Sequence, residues 1–158
     1  MQQVLSKDFF RNIEPASEED YLAITETWEA SVRATHHFLR EEHIQYFKPL
    51  ILNEFLKTVD LYCIKSNFVN IAGFIGVAES KIEMLFVHPE FFGRSIGKSL
   101  LRFAVEKLGA TKVDVNEQNE QAVNFYKHMS FIVTGRSELD SMGKPFPLLF
   151  MELDKKAR

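Results

Sequence analysis

Cysteine is almost missing from this chain. Cys63 stands alone, which excludes an intrachain disulfide and a cysteine-built metal cluster. Nowhere do apolar residues run uninterrupted for the roughly 18 positions of a membrane span. The opening "MQQVLSKDFF" has no long apolar run behind a basic stretch, so it lacks the form of a signal peptide. A strong charge of one sign is absent too. The net charge of −3 gives no basic footprint for nucleic acid and is too small a field to select a partner. Internal repeats, low-complexity tracts and dividing linkers are also lacking. These absences leave a reduced, cytoplasmic enzyme or binding protein as the expectation, with neither nucleic acid nor membrane as partner.

Apolar residues are not scarce. They make up 46% of the 158 residues, against 26% charged, an ordinary balance for a globular protein. The length suits one domain, residues 1–158, with a sizeable core. Phenylalanine occurs 15 times, which predicts an aromatic-rich core or pocket.

The periodicity orders the rest. "FFRNI" reads as a short strand ending at Pro15. Ser17 with Asp20 forms a helix-start signature, after which Tyr21, Ile24, Trp28 and Val32 fall on one helical face. "RATHHFL" (33–39) breaks the rhythm. Ile44, Phe47, Ile51 and Phe55 resume it, with Pro49 expected to divide that stretch. "LYCIK", "FVNIAGFIGV" and "KIEMLFVH" are strands with short connections, so an antiparallel meander is predicted. A helix from Ile96 to Leu108 stops at Gly109. "TKVDVN", a helix over "NEQAVNFYKHM" and the strands "FIVTGRSEL" and "FPLLFMEL" complete the chain. This order predicts an α/β fold: a mixed, mostly antiparallel sheet of about six to seven strands with helices on both faces. The strands 81–88 and 111–116 flank one helix and are expected to be parallel neighbours. The turn "HPEFFGRSIGKSLL" then lies beyond the carboxyl ends of the strands, where ligands bind in such sheets.

Two stretches narrow the function. "FVHPEFFGRSIGKSLL" followed by "DVNEQNEQAVNFYKHMSF" resembles the GNAT acetyltransferases, and within them the YjaB-like bacterial subgroup, which "ATHHFL" also fits. The resemblance covers nearly the whole chain. It implies the GNAT fold, acetyl-CoA as donor with CoA as product, no metal, and the primary amine of a small molecule or peptide as acceptor. It also implies direct attack through a tetrahedral intermediate. The family's phosphate-loop pattern falls on Phe92, Gly93, Arg94, Ser95, Ile96 and Gly97, with Lys98 next in the chain. Phe92 and Ser95 depart from that pattern, and Gly97 keeps it. Backbone amides and a helix dipole still hold a pyrophosphate without a glycine at Ser95. A left-handed Ser95 would cost roughly 1–2 kcal/mol. Its hydroxyl is expected to cap the helix or meet a phosphate, and Arg94 to replace the charge that Phe92 lacks.

The resemblance places Tyr126 as the acid that protonates the departing sulfur; by pattern alone it is equally a core tyrosine. Glu83 is either the base, acting through a water, or a surface glutamate. Backbone amides near Phe86 and Val87 are expected to face the thioester carbonyl, if the strand is interrupted there. Asn119 is an N-cap that the resemblance also puts near the pantetheine arm, and Asn116 is a weaker candidate of the same kind. The acceptor side is assigned to His36, His37, Phe38, Arg136 and Phe146. Adjacent histidines make a poor metal pair, so a solvated loop histidine competes with a base or ligand there. Arg136, Glu138 and Asp140 share a strand face that suits a polar substrate or plain solvent. Phe146 stands where close relatives commonly carry Tyr and offers no proton. A second function class stays open on Phe92, Ser95 and Phe146: a CoA-binding sensor without turnover. A homodimer is also left open.

Overall fold

In the computed structural model, residues 12–67 and 69–157 are described. The sheet has seven strands: β1 (Ile13–Pro15), β2 (Asp60–Ser66), β3 (Asn70–Ala78), β4 (Lys81–Val87), β5 (Lys112–Asn116), β6 (Phe131–Ser137) and β7 (Leu148–Leu153). Their spatial order is β1-β2-β3-β4-β5-β7-β6, antiparallel except for β4 beside β5. The expected meander, parallel pair and closing hairpin are all present. Residues 9–11 of the predicted first strand, and Phe68 of the third, lie outside the described residues.

β3 is buried from Ile71 through Val77, as an unbroken apolar run requires when helices cover both faces. On one face α1 (Tyr21–Thr35) and α2 (Glu41–Asn53) bury Ile24, Trp28, Val32 and Ile44 against Phe74 and Met84. On the other, α3 (Ile96–Leu108) and α4 (Glu120–His128) bury Leu100, Ala104 and Val123 against Ile75, Ile82 and Val115.

Local chemistry sets the ends of these helices. The Ser17 amide donates to Asp20 at 2.9 Å, closing a 3₁₀ turn over Glu18–Asp20 just before α1. Gly109 stops α3 at φ 68°. Pro49, however, does not divide its stretch: α2 runs through it to Asn53. Both Pro49 and Gln45, whose carbonyl loses its partner, are exposed, so water can satisfy that oxygen. Phe55 lies past the helix in a 3₁₀ turn.

Candidate active site

β4 and β5 are paired only where they begin, Lys81 with Lys112 and Ile82 with Val113. An ion pair between Lys81 and Asp114 closes that narrow end. Beyond it the strands splay apart, and a cleft of about 470 Å³ opens between them. β4 also carries an extra residue. Gly76 faces Met84 while Val77 faces Ile82, so Glu83 is bulged out of the ladder to β3, exposed and on the cleft wall.

The splay frees backbone donors, and alternation identifies them. The His88 amide donates to the Ala72 carbonyl at 2.8 Å. With Phe86 opposite Phe74 in continuous register, the Phe86 amide also points to β3. Those of Leu85 and Val87 therefore point into the cleft. The expected pair of Phe86 and Val87 is corrected to Leu85 and Val87, and the cause is the splay of β5, not a break in the β4 ladder near residue 86.

At the cleft mouth the turn after β4 delivers the start of α3. Ser95 adopts φ 63°, ψ 18°, the left-handed conformation the altered pattern requires, and its hydroxyl makes no capping bond. Gly93 is left-handed as well, at φ 77°. The amides of Ile96, Gly97 and Lys98, in the first turn of α3, have no acceptor within their own helix. They form a run of open donors at the positive end of a helix. Phe92 is 44% exposed and lines the cleft with Gly97. The Arg94 guanidinium lies 5.4 Å from the Phe91 ring centroid, beside the loop and off the cleft wall. Ile96 is in the core, and Lys98 is half-buried in the first turn of α3.

α4 forms the facing wall. Asn119 caps it, accepting the Ala122 amide at 3.1 Å. Two turns on, Tyr126 is 6% exposed and edge-on to Phe125 and Phe131. Its hydroxyl has no hydrogen-bond partner among the described residues, yet it is not sealed off, so it opens into the cleft. Burial pushes its ionisation well above the ordinary phenol range, which keeps the proton on oxygen. Asn116 also lines the cleft; its side chain accepts the Gln118 amide at 2.9 Å and shapes the turn into α4.

His36, at the C-terminal end of α1, is half-buried on the cleft wall and is not a solvated loop histidine. Burial, and secondarily the neighbouring His37, holds its ionisation down at about 4. Its Nε2 lies 3.3 Å from Asn119 Nδ2 and its Nδ1 2.8 Å from Thr35 Oγ1. His37 is exposed and off the cleft wall. Phe38 and Phe146 are 6.2 Å apart by ring centroids, and His43 packs edge-on against Phe146. These rings join the α1–α2 turn to the β6–β7 loop outside the main cleft. Arg136 belongs to neither group: it is paired with Glu117 and Glu138. The expected strand-face row is also corrected, because β6 ends at Ser137 and Asp140 instead accepts the Met142 and Lys144 amides within the loop.

Acetyl-CoA suits these residues. The open amides fit a pyrophosphate, the splay admits a narrow chain, and Leu85, Val87 and Tyr126 border the same cleft. Sequence reading missed Leu85, Asp114 and the polar pair Ser31–Thr35. Ser31 and Thr35 stand at helical spacing just before His36, which is the signal that could have found them.

Comparisons with known proteins show what the chain is similar to. The family model for an acetyltransferase (GNAT) domain matches residues 39–147. A peptidyl-lysine N-acetyltransferase YjaB of Salmonella typhimurium is 38% identical over 138 residues, 87% of this chain and 94% of that protein. The solution structure of apo-form YjaB from Escherichia coli superposes with a TM-score of 0.78 at 35% identity, covering 89% and 95% of the two chains. The PaiA N-acetyltransferase of Thermoplasma acidophilum, solved in complex with coenzyme A, shares the fold at a TM-score of 0.69 and 22% identity, covering 90% and 98%.

Proposed function

The chain belongs to the GNAT acetyltransferases, and on that premise we propose that it transfers the acetyl group of acetyl-CoA to the side-chain amine of a lysine in a protein or peptide. The observation that carries this reading is the Tyr126 hydroxyl. It is proton-retaining, without a hydrogen-bond partner among the described residues, and open to a cleft that also receives the Leu85 and Val87 amides. Relatives named as peptidyl-lysine N-acetyltransferases support the acceptor class.

Acetyl-CoA supplies an activated acyl carbon on a sulfur leaving group. Glu83, exposed on the cleft wall, draws the ammonium in and takes its proton through water. The neutral amine then adds to the acyl carbon, forming the C–N bond as the carbonyl π pair moves onto oxygen. Collapse of this tetrahedral intermediate re-forms C=O and breaks the C–S bond, and the surplus proton on nitrogen passes to water. The Leu85 and Val87 amides hold the negative charge that develops on the carbonyl oxygen. Tyr126 gives its proton to the departing sulfur and regains one from solvent. The Phe38 and Phe146 rings offer an apolar wall for the methylene stem of a lysine.

The experiment presents acetyl-CoA with three acceptors: a lysine peptide with a blocked N-terminus, a lysine-free peptide with a free N-terminus, and spermidine. Thiol release and product mass are measured. Acetylation of the blocked lysine peptide above the rates of the others is expected. Transfer to spermidine or to the N-terminus alone would overturn the acceptor assignment, and transfer to none of the three would overturn the activity.

A further inference from the structure

His36 takes part in a chain of hydrogen bonds whose direction is fixed at both ends. The Asn119 Oδ1 accepts the Ala122 amide at 3.1 Å, so the Asn119 side chain must turn its Nδ2, a donor, toward His36. At 3.3 Å from that donor, His36 Nε2 must carry a lone pair and no proton. The ring proton therefore sits on Nδ1, 2.8 Å from Thr35 Oγ1. Thr35 can accept it because its own hydroxyl proton goes to the Ser31 carbonyl at 2.8 Å. Every donor meets an acceptor only if His36 is the neutral Nδ1–H form. The ring is also held between Phe38, at 5.2 Å, and Phe86, at 6.2 Å.

The chain of bonds runs along the cleft wall from one face of the sheet to the other. α1 and α4 cover opposite faces of the sheet, and the His36–Asn119 contact bridges the end of one to the start of the other. Asn119, Tyr126 and His36 all border the same cleft. A change in the His36 ring is thus felt at the N-cap of the helix that carries Tyr126.

We propose that His36 is a positioning residue for acyl transfer, which as a neutral Nδ1–H imidazole fixes the orientation of the Asn119 amide and clasps α1 to α4 across the open end of the β4–β5 splay. The role of the clasp in turnover rests on the acetyl-transfer reading above; the clasp itself does not. A protonated ring would present two donors and break the contact with Asn119. Imidazole serves here because it accepts on one side and donates on the other while filling the space between two aromatic rings.

The test begins with long-range ¹H–¹⁵N NMR of the full chain, which reports the tautomer without turnover. Nδ1–H with a bare Nε2 from pH 5 to pH 8 is expected; an Nε2–H ring, or titration at the free-histidine value of about 6.5, would overturn the proposal. In Asn119→Asp the cap oxygen stays and the donor is lost. A second acceptor then faces Nε2, so the His36 titration point should move up by more than about one unit; an unmoved His36 would count against the clasp. Finally, His36→Phe should bind acetyl-CoA roughly tenfold more weakly, with kcat/KM reduced by at least as much, on the scale of a lost side-chain hydrogen bond. His36→Gln, which restores an acceptor, should recover most of that loss. Wild-type affinity and rate in His36→Phe would sink the positioning role. A wild-type chain without transferase activity would instead sink the acetyl-transfer reading, while the tautomer and the acetyl-CoA affinities still decide the clasp.

Discussion

Ser95 holds φ 63° at the entry to α3, a conformation that costs a residue with a Cβ roughly 1–2 kcal/mol. If the loop keeps this angle before the ligand arrives, the penalty falls on folding; if the ligand imposes it, the penalty falls on binding. Ser95→Gly removes the strain but gains backbone entropy in the unfolded chain, worth about 0.5–1 kcal/mol the other way. The net should be a gain of about 0.5–1 kcal/mol, read as a melting point about 1–4 °C higher, with acetyl-CoA affinity within about threefold of wild type. A large gain in affinity without added stability would mean that the loop is reorganised by the ligand. Tyr126 permits a cleaner substitution. Its hydroxyl has no hydrogen-bond partner to lose among the described residues, so Tyr126→Phe should fold and bind acetyl-CoA as wild type does. The rate should fall roughly a hundredfold, the lower end for a lost general acid. Calorimetry and single-turnover rates on one preparation check both halves, and an unchanged rate would remove Tyr126 from the chemistry.

At the scale of elements, the position of α3 decides whether the open amides meet a ligand, and a close approach sets that position. A Cβ built on Gly73 in β3 would lie 2.8 Å from Ile96 Cγ2 and 3.2 Å from the Phe86 carbonyl oxygen. The first turn of α3 thus rests directly on the β3 backbone beside β4. Gly73→Ala should push that turn outward, costing about 1–3 kcal/mol as overpacking does and weakening acetyl-CoA in the same variant. Gly97→Ala is the contrast for stability, because its Cβ would meet Val87 Cγ2 at an ordinary 3.6 Å. Melting curves of the two variants should separate by several degrees. If Gly73→Ala melts with wild type, α3 is less tightly seated than these distances require.

Across the whole molecule, the features legible in the sequence are those written in local patterns. Helical spacing located α1 and α3, Gly109 marked a stop, and short connections marked the meander. The one helix between β4 and β5 required a parallel pair. The features that escaped depend on contacts distant in sequence. Ile82, Met84 and Phe86 alternate as in an unbroken strand, so nothing local marks the bulge at Glu83 or the point where β5 turns away. Two histidines in "RATHHFL" read as polar loop, yet His36 is half-buried and hydrogen-bonded to a partner 83 positions along the chain. The splay has a consequence for the molecule as a unit. The ladder between β4 and β5 has only the pairs Lys81–Lys112 and Ile82–Val113, so the β1–β4 and β5–β7 parts of the sheet share little backbone pairing. A ligand seated between them should act as the missing rungs. Acetyl-CoA at about a hundred times its dissociation constant should add about 2.7 kcal/mol, a rise in melting point of about 5–10 °C for a protein of this size. Hydrogen exchange should slow at Leu85, at Val87 and from Gly93 through Lys98, and stay unchanged in β1 and β2 at the far edge. A melting point unmoved by 1 mM acetyl-CoA, or protection confined to other strands, would show that the splay is not the donor site.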